Sequence, residues 1–324
     1  MSVYTTVSAS ELAQFLTRYN VGELESFQGI SDGIENTNYF VSTRNAQGTQ
    51  QFVLTLFETL ASEDLPYYLE LMAYLAQQGV PSAHPIADRD AHYLQHLNGK
   101  PTALVQRLAG RATTTPTQQQ YATVAATMAQ MHRAGQKFPL QRQNARNLDW
   151  MLDAARKLQD KLDPDIRSFL DAELTFQLQQ DLARLPHGVI HADLFLDNVL
   201  FDGNHLSGLI DFYFACNDIL IYDLAVLIND WCSDEQGELN LALVKTMLIA
   251  YHAERPLGAN EIAAWPTMLR KAALRFWLSR LLDSYHPRAG ELTHTKDPAV
   301  FERILRKRIQ QQTQLLTLLE ETVA

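Results

Sequence analysis

Apolar residues recur at two different periods along the chain, and the change of period divides it. Up to about residue 108, short alternating stretches dominate. Residues 24–30, 39–43 and 51–57 each read as a strand, with polar turns at 31–38 and 45–48 between them. Ala103, Leu104 and Val105 suggest a further strand within 100–108. Two helices interrupt the strands. Leu12, Phe15, Leu16 and Tyr19 follow a Ser8 or Ser10 cap. Leu65, Tyr68, Leu69, Met72, Leu75 and Ala76 set a helix over 66–78, which Gly79 and Pro81 stop. The expectation is an antiparallel meander with one main helix.

After a Gly-, Thr- and Pro-rich joint at 110–117 the period becomes helical. Helices are predicted over 117–133, 148–161, 165–185, 223–231, 239–252 and 260–285, and from 298 to the C-terminus. Only residues 187–214 break the style. They read as a loop and a short hairpin set among helices. No internal repeat, low-complexity tract or sustained heptad occurs, so the sequence leaves the oligomeric state open. The predicted division is 1–108 and 109–324, with a hinge at about 104–112.

Composition narrows the function. The 324 residues carry 27 Lys and Arg against 37 Asp and Glu, a net charge of −10. Duplex nucleic acid is a poor partner for such a chain, because phosphate binding needs clustered positive charge. A small anionic ligand held by a metal ion and backbone amides fits. The two cysteines, Cys216 and Cys232, exclude a disulfide scaffold and a four-Cys zinc site, and read as reduced buried thiols. Residues 1–11 lack the basic start and apolar core of a signal peptide. The most apolar stretch, 209–228, contains Asp211, Asp218 and Asp223, which rules against a lipid-spanning helix. A cytoplasmic, soluble chain without a membrane partner is expected.

Candidate chemistry concentrates at 189–201. His191, Asp193, Asp197 and Asn198 stand there in apolar company, and Asp211 follows thirteen residues after Asn198. A loop with a carboxylate and a carboxamide, then a hairpin returning with a second carboxylate, can bring Asp193, Asn198 and Asp211 to one point. Hard oxygen ligands of that kind suit Mg²⁺. A carboxylate outside the metal shell can take a proton from an alcohol.

This set resembles the protein-kinase catalytic pattern, with Ala192 in place of its Arg and Tyr213 in place of the Gly after Asp211-Phe212. The His-Ala-Asp and Ile-Asp-Phe wording is similar to the aminoglycoside phosphotransferase and choline kinase branch. The resemblance implies a two-lobed α+β protein-kinase-like fold, with a small antiparallel-sheet N-lobe binding nucleotide and a larger helical C-lobe. It implies ATP and Mg²⁺ as cofactors, Asp193 as catalytic base, His191 beside it bracing the loop, and Asn198 and Asp211 as metal ligands. Asp223, in Tyr222-Asp223-Leu224-Ala225, is implied as a prop for the catalytic loop. Ser31, Gly33, Asn36 and Asn38 would cover the phosphates, and Val105, Gln106 and Leu108 would line the adenine hinge. The lysine expected on the third strand is replaced by Thr55, leaving Glu70 on the following helix without its usual partner. That replacement keeps open a nucleotide-binding module without turnover.

Within the branch, the chain is similar to the homoserine kinases of the aminoglycoside-phosphotransferase type from about residue 20 to 285. The segments 52–58, 69–72, 98–101, 126–132, 191–201, 210–216 and 274–281 carry that likeness. The implied reaction is phosphorylation of the L-homoserine side-chain hydroxyl, in threonine biosynthesis. A zwitterionic substrate needs a cation for its carboxylate, for which Arg275, Arg280 and Arg146 are candidates, and an acceptor for its ammonium, for which Asp197 is the candidate. Choline, an aminoglycoside or methylthioribose stay open as acceptors. For choline, Trp231, Trp277 and Tyr285 are available to build an aromatic cage.

Overall fold

The alternating stretches pair as a meander, and the strands run longer than their apolar cores. In the computed structural model, which describes residues 4–30, 36–286 and 296–323, β1 (Glu23–Gly29), β2 (Asn36–Asn45) and β3 (Gly48–Phe57) are antiparallel neighbours. β4 (Leu94–Leu97) and β5 (Lys100–Gln106) complete a sheet of order β1-β2-β3-β5-β4. β2 extends past the predicted 39–43 because buried polar residues continue its inward face. Thr37 donates to Glu58 Oε1 at 2.7 Å, and Thr43 donates to the Val21 carbonyl. A hydrophobicity count passes over such threonines.

Two helices cover this sheet's apolar residues. α1 (Ala9–Leu16) starts at a capping box in which Ser8 and Glu11 bond each other's main chain. Its Leu12, Phe15 and Leu16 join Val41, Leu54, Leu56 and Leu104 in one core cluster. Each such fully buried side chain stabilises the fold by roughly 1.5–3 kcal/mol. α2 (Leu65–Gln77) buries Leu65, Tyr68, Leu69 and Met72, the spacing that predicted it.

The chain clusters into two compact units, Met1–Gly110 with Ser207–Tyr213, and Arg111–Leu206 with Phe214–Ala324. The sequence placed 207–213 in the helical part, whereas these residues group with the first unit. Leu209 donates its N–H to the Pro81 carbonyl at 2.8 Å, and Gly208 leaves room for the Leu108 side chain.

The second unit is helical: α3 (Gln118–Gly135), α4 (Leu148–Leu158), α5 (Pro164–Leu178), then α6 (Leu220–Trp231), α7 (Leu241–Glu254), α8 (Ala259–Tyr285), α9 (Pro298–Gln310) and α10 (Gln312–Val323). Between α5 and α6 come β6 (His187–Ile190), the hairpin β7 (Val199–Asp202) and β8 (His205–Leu209), and β9 (Cys216–Ile219), which pairs with β6. α3 meets β6 closely. A Cβ on Gly135 would lie 2.7 Å from the Val189 Cβ, so only glycine fits.

Two helix predictions need correction. α5 stops at Leu178, seven residues before the predicted 185, because Leu182 and Leu185 serve a turn leading into Pro186. The C-terminal segment is two helices, broken at Gln311. There Arg308, fully buried, donates to Asn229 Oδ1 at 2.8 Å and to the Gly237 carbonyl at 2.9 Å, and Gln311 donates to Glu238 at 2.8 Å. These bonds fix the break to the α6–α7 region. Among the described residues no helix is long and apolar enough to cross a membrane.

Candidate active site

The turn that follows β6 is held from below by α6. Asp223, in the first turn of α6, accepts the His191 N–H at 2.8 Å and the Ala192 N–H at 2.7 Å. Its Oδ2 also lies 3.0 Å from His132 Nε2 of α3. Burial works against the Asp223 charge. The His132 hydrogen bond, the interactions with both histidines and the His191 amide outweigh it, so the carboxyl is held below its ordinary range. The other His132 ring nitrogen is 2.7 Å from the Tyr251 hydroxyl of α7. Arg255 donates to that hydroxyl at 3.1 Å and pairs with Glu261 of α8 at 2.9 Å. A buried polar chain therefore runs from α8 to the main chain of the turn.

The far end of α6 holds the rest of the loop. Trp231 Nε1 donates to the Leu194 carbonyl at 3.2 Å, and the Leu196 N–H donates to Asp230 at 2.9 Å. Ala192 adopts φ +64° in the turn, a left-handed backbone that strains a side chain. The following carboxylate, Asp193, is turned out of the loop and 18% exposed.

Two sequence candidates meet that carboxylate, and a third lies two residues before it. Asn198 donates from Nδ2 to the Asp193 carbonyl at 2.8 Å and to Asp193 Oδ2 at 3.4 Å. With its nitrogen so engaged, the amide directs its oxygen elsewhere, the orientation a hard cation requires. Arg275 of α8 is buried, 3.7 Å from Asp193 Oδ1, with its guanidinium 3.8 Å from the Phe276 ring centroid. His191 is fully buried, and its main chain is tied to Asp223.

The remaining substrate candidates belong to the same unit. Asp197 is exposed and pairs with Lys296 at 3.1 Å. Arg280 donates to the Asp297 carbonyl at 3.1 Å and stacks on Phe301. Arg146 stacks on Trp150. Each aromatic residue considered for a cage has its own partner: Trp231 meets Tyr121, Trp277 meets Phe169, and Tyr285 donates to the Lys161 carbonyl. Cys216 and Cys232 are free and buried, and burial pushes the Cys232 thiol up to about 12.

In the first unit, Asp211 is exposed and also takes a positive φ, +63°. Thr55, 4% exposed, donates to Asn38 Oδ1 at 2.8 Å and is hydrogen-bonded to the Tyr213 phenol. Tyr213 packs edge-on against Phe57 and Tyr68. Polar bonds and aromatic rings therefore fill the place where the resemblance expected a lysine. Glu70 is exposed on α2. Asn36 keeps a buried Oδ1 with no hydrogen-bond partner among the described residues, while Ser31 and Gly33 lie outside those residues. At the hinge, Val105 is buried, the Gln106 N–H donates to the His84 carbonyl at 2.8 Å, and Leu108 packs on Gly208.

Sequence reasoning missed His132, Asp230, Lys296 and the place of Tyr213. His132 had a signal: it continues the buried α3 face of Val124, Met128 and Met131. Asp230 and Lys296 had none.

The comparisons agree with this architecture. A sequence model of the phosphotransferase enzyme family matches residues 26–257. A homoserine kinase of Methylobacillus flagellatus is 51% identical over 98% of each chain, and one of Cupriavidus necator is 46% identical over 95% of this chain and 96% of that one. Among solved structures, an amicoumacin kinase superposes with TM-score 0.68 at 16% identity, covering 96% of this chain and 94% of that one. A choline kinase from Cryptosporidium parvum gives 0.68 at 15%, over 98% and 100%. Both show the protein-kinase-like two-lobed fold, and the full-length identity adds the rest: the chain belongs to the phosphotransferase enzyme family, among its homoserine kinases.

Proposed function

We propose that the chain transfers the γ-phosphoryl group of ATP to the side-chain hydroxyl of L-homoserine, giving O-phospho-L-homoserine for threonine biosynthesis. The observation that carries this reading is the 51% identity to a homoserine kinase over 98% of both chains. In this reading residues 1–108, with which 207–213 group, are the nucleotide-binding lobe, and the rest of 109–324 is the catalytic and substrate-binding lobe. The enzyme works in the cytoplasm.

Asp193 orients the acceptor hydroxyl in line with the γ-phosphorus. The hydroxyl oxygen forms the new bond to phosphorus, the bond to the β-phosphate oxygen breaks with its electron pair leaving on ADP, and the hydroxyl proton passes to Asp193. Arg275 holds the Asp193 carboxylate in place from its buried position on α8. His191 braces the turn. Asn198 and Asp211 supply the amide and carboxylate oxygens that suit Mg²⁺, which when bound neutralises charge on the ATP phosphates. Asn36, Asn38 and the neighbouring Ser31 and Gly33 cover the phosphates, and Thr55 and Glu70 stand beside them. Adenine lies along Val105, Gln106 and Leu108. The Gln106 and Arg107 amides donate within the lobe, to His84 and Gln51, which leaves Leu108 among the named hinge residues to donate to adenine.

The test is ADP release from ATP and Mg²⁺ in the presence of homoserine, choline, methylthioribose or an aminoglycoside. Homoserine alone should stimulate release strongly. A greater response to another alcohol would change the substrate, and no response to any would leave a nucleotide-binding module.

A further inference from the structure

A cavity of about 220 Å³ opens beside the catalytic loop, lined among others by Thr113, Thr114, Phe195, Asp197, Asp230 and Lys296. It carries both signs of charge. Asp230 sits at the end of α6 and accepts the Leu196 N–H at 2.9 Å. Lys296 reaches in from the residues before α9 and pairs with Asp197, the two side chains being 52% and 62% exposed. An ion pair that exposed is weak and exchanges readily for another partner. Phe195, which begins the loop side of the cavity, follows Asp193 by two residues and is fixed against Phe276 and Phe301.

We propose that this cavity holds the amino-acid end of the substrate, its ammonium on Asp230 and its carboxylate on Lys296. The inference rests on the homoserine reading and deepens it. The pattern of charges around the cavity matches a zwitterion, whereas a polycation would require several carboxylates and choline a ring of aromatic faces.

Position supports the assignment. Burial draws the Arg280 guanidinium below its ordinary range, and Asp230, Asp297, Asp193 and Asp197 all act against that fall. The cavity carboxylates and the catalytic carboxylate thus act electrostatically on one guanidinium. Homoserine carries its hydroxyl four bonds from its ammonium nitrogen, so the proposal requires Asp193 and Asp230 to face the two ends of one short molecule. Burial dominates the environment of Asp230 despite two nearby cations. Burial raises its carboxyl to about 6, the Leu196 amide opposes this, Asp197 raises it, and Lys296 and Arg280 lower it. An arriving ammonium adds a directly bonded counter-charge in a partly desolvated place, where such a bond is strong.

The experiment uses the full chain, ATP and Mg²⁺ with three acceptors: homoserine, 4-hydroxybutanoate, which lacks the ammonium, and 3-aminopropan-1-ol, which lacks the carboxylate. Asp230→Asn keeps an acceptor for Leu196 and removes the charge. It should lower kcat/KM for homoserine about 10- to 100-fold, mostly through KM. It should leave KM for ATP and the rate with 4-hydroxybutanoate unchanged. Asp230→Glu, which keeps the charge, should retain most of the preference for homoserine and serves if the Asn variant fails to fold. Lys296→Met should reduce the preference for homoserine over 3-aminopropan-1-ol. Equal losses on homoserine and 4-hydroxybutanoate would make Asp230 a loop support and overturn the inference alone. So would an unchanged preference in both charge-removing variants. A wild-type chain inactive on homoserine overturns the homoserine reading, and the inference with it.

Discussion

His132 Nε2 and Asp223 Oδ2 lie 3.0 Å apart, and neither side chain is reached by solvent. One is on α3 and the other on α6, 91 residues away in sequence. The same carboxylate holds the His191 and Ala192 amides, so the pair joins two helices to the turn that carries Asp193. A buried charge so fully hydrogen-bonded is costly to disturb, because removing either partner leaves the other without compensation.

Asp223→Asn should therefore destabilise the protein by about 3 kcal/mol or more at neutral pH. The sign of the pH dependence follows from the direction of the shift. The folded carboxyl is held below its ordinary value, so its contribution is complete above the unfolded value of about 4. It is lost as pH falls from there through the folded value. Denaturant unfolding of wild type and variant should give a constant difference from pH 7 down to about 4, shrinking below. A difference that shrinks instead between pH 7 and 5 would assign the coupling to another group.

Asp193→Asn should lower kcat roughly 10²–10⁴-fold and leave KM for ATP almost unchanged. The variant keeps the size of the side chain and loses the proton acceptor. His191→Gln should hurt less, because His191 is buried and acts through the turn. Steady-state kinetics of the two variants decide the matter: if His191→Gln is the more damaging and Asp193→Asn nearly silent, the base is the imidazole.

Much of this site was legible in the sequence for a physical reason. Polar residues that interrupt an apolar run, as His191, Asp193 and Asn198 do, must either be satisfied locally or face a ligand. The strands and most helices were legible because their apolar periods match their burial, as at Leu65, Tyr68, Leu69 and Met72. What stayed hidden depends on long-range pairing. β6 and β9 meet across the 25 positions between Ile190 and Cys216, and nothing local marks either as the other's partner. The Arg308 anchor that splits the last helix is equally invisible, since a buried arginine reads as a surface residue until Asn229 and Gly237 are placed around it. Asp230 looked like one more helix acid. Its importance comes from the loop residue Leu196 above it.

Asp211→Ala should abolish turnover and leave the fold intact. Asp211 is exposed, so little packing is lost, and the proposed role is metal binding alone. Circular dichroism and an unfolding curve close to wild type, with ADP release at background across a Mg²⁺ titration, are the expected results. Near-normal rates at saturating Mg²⁺ would remove Asp211 from the metal site.

Restoring the lysine that protein kinases carry on the third strand should fail. Thr55 is 4% exposed, between Asn38 and the Tyr213 phenol, with Phe57 and Tyr68 against the Tyr213 ring. An ammonium placed there displaces those bonds and is poorly solvated. Thr55→Lys should cost about 2–4 kcal/mol of stability without lowering KM for ATP. A variant of wild-type stability with tighter ATP binding would show that the site still accepts the kinase lysine.

Ala192 offers a test of strain in the catalytic turn itself. Its φ of +64° puts an L-residue in the left-handed region, and it stays there because Asp223 grips the amides of both Ala192 and His191. Glycine adopts this conformation freely, which relieves about 1–2 kcal/mol in the folded state. Glycine also adds freedom to the unfolded chain, worth about 0.4–1 kcal/mol in the opposite direction. The net expectation for Ala192→Gly is unchanged to slightly raised stability, with kcat retained. Ala192→Val is the contrasting variant. A β-branched side chain at positive φ clashes with its own backbone, and Ala192 is only 5% exposed, so the added methyl groups also lack room. The valine variant should lose at least 2 kcal/mol, and its kcat should fall with it, because Asp193 is the next residue along the strained turn. Thermal unfolding and kcat measured on both variants separate the cases. A glycine variant clearly less stable than wild type, beside a tolerated valine, would mean that the turn carries no left-handed strain at Ala192.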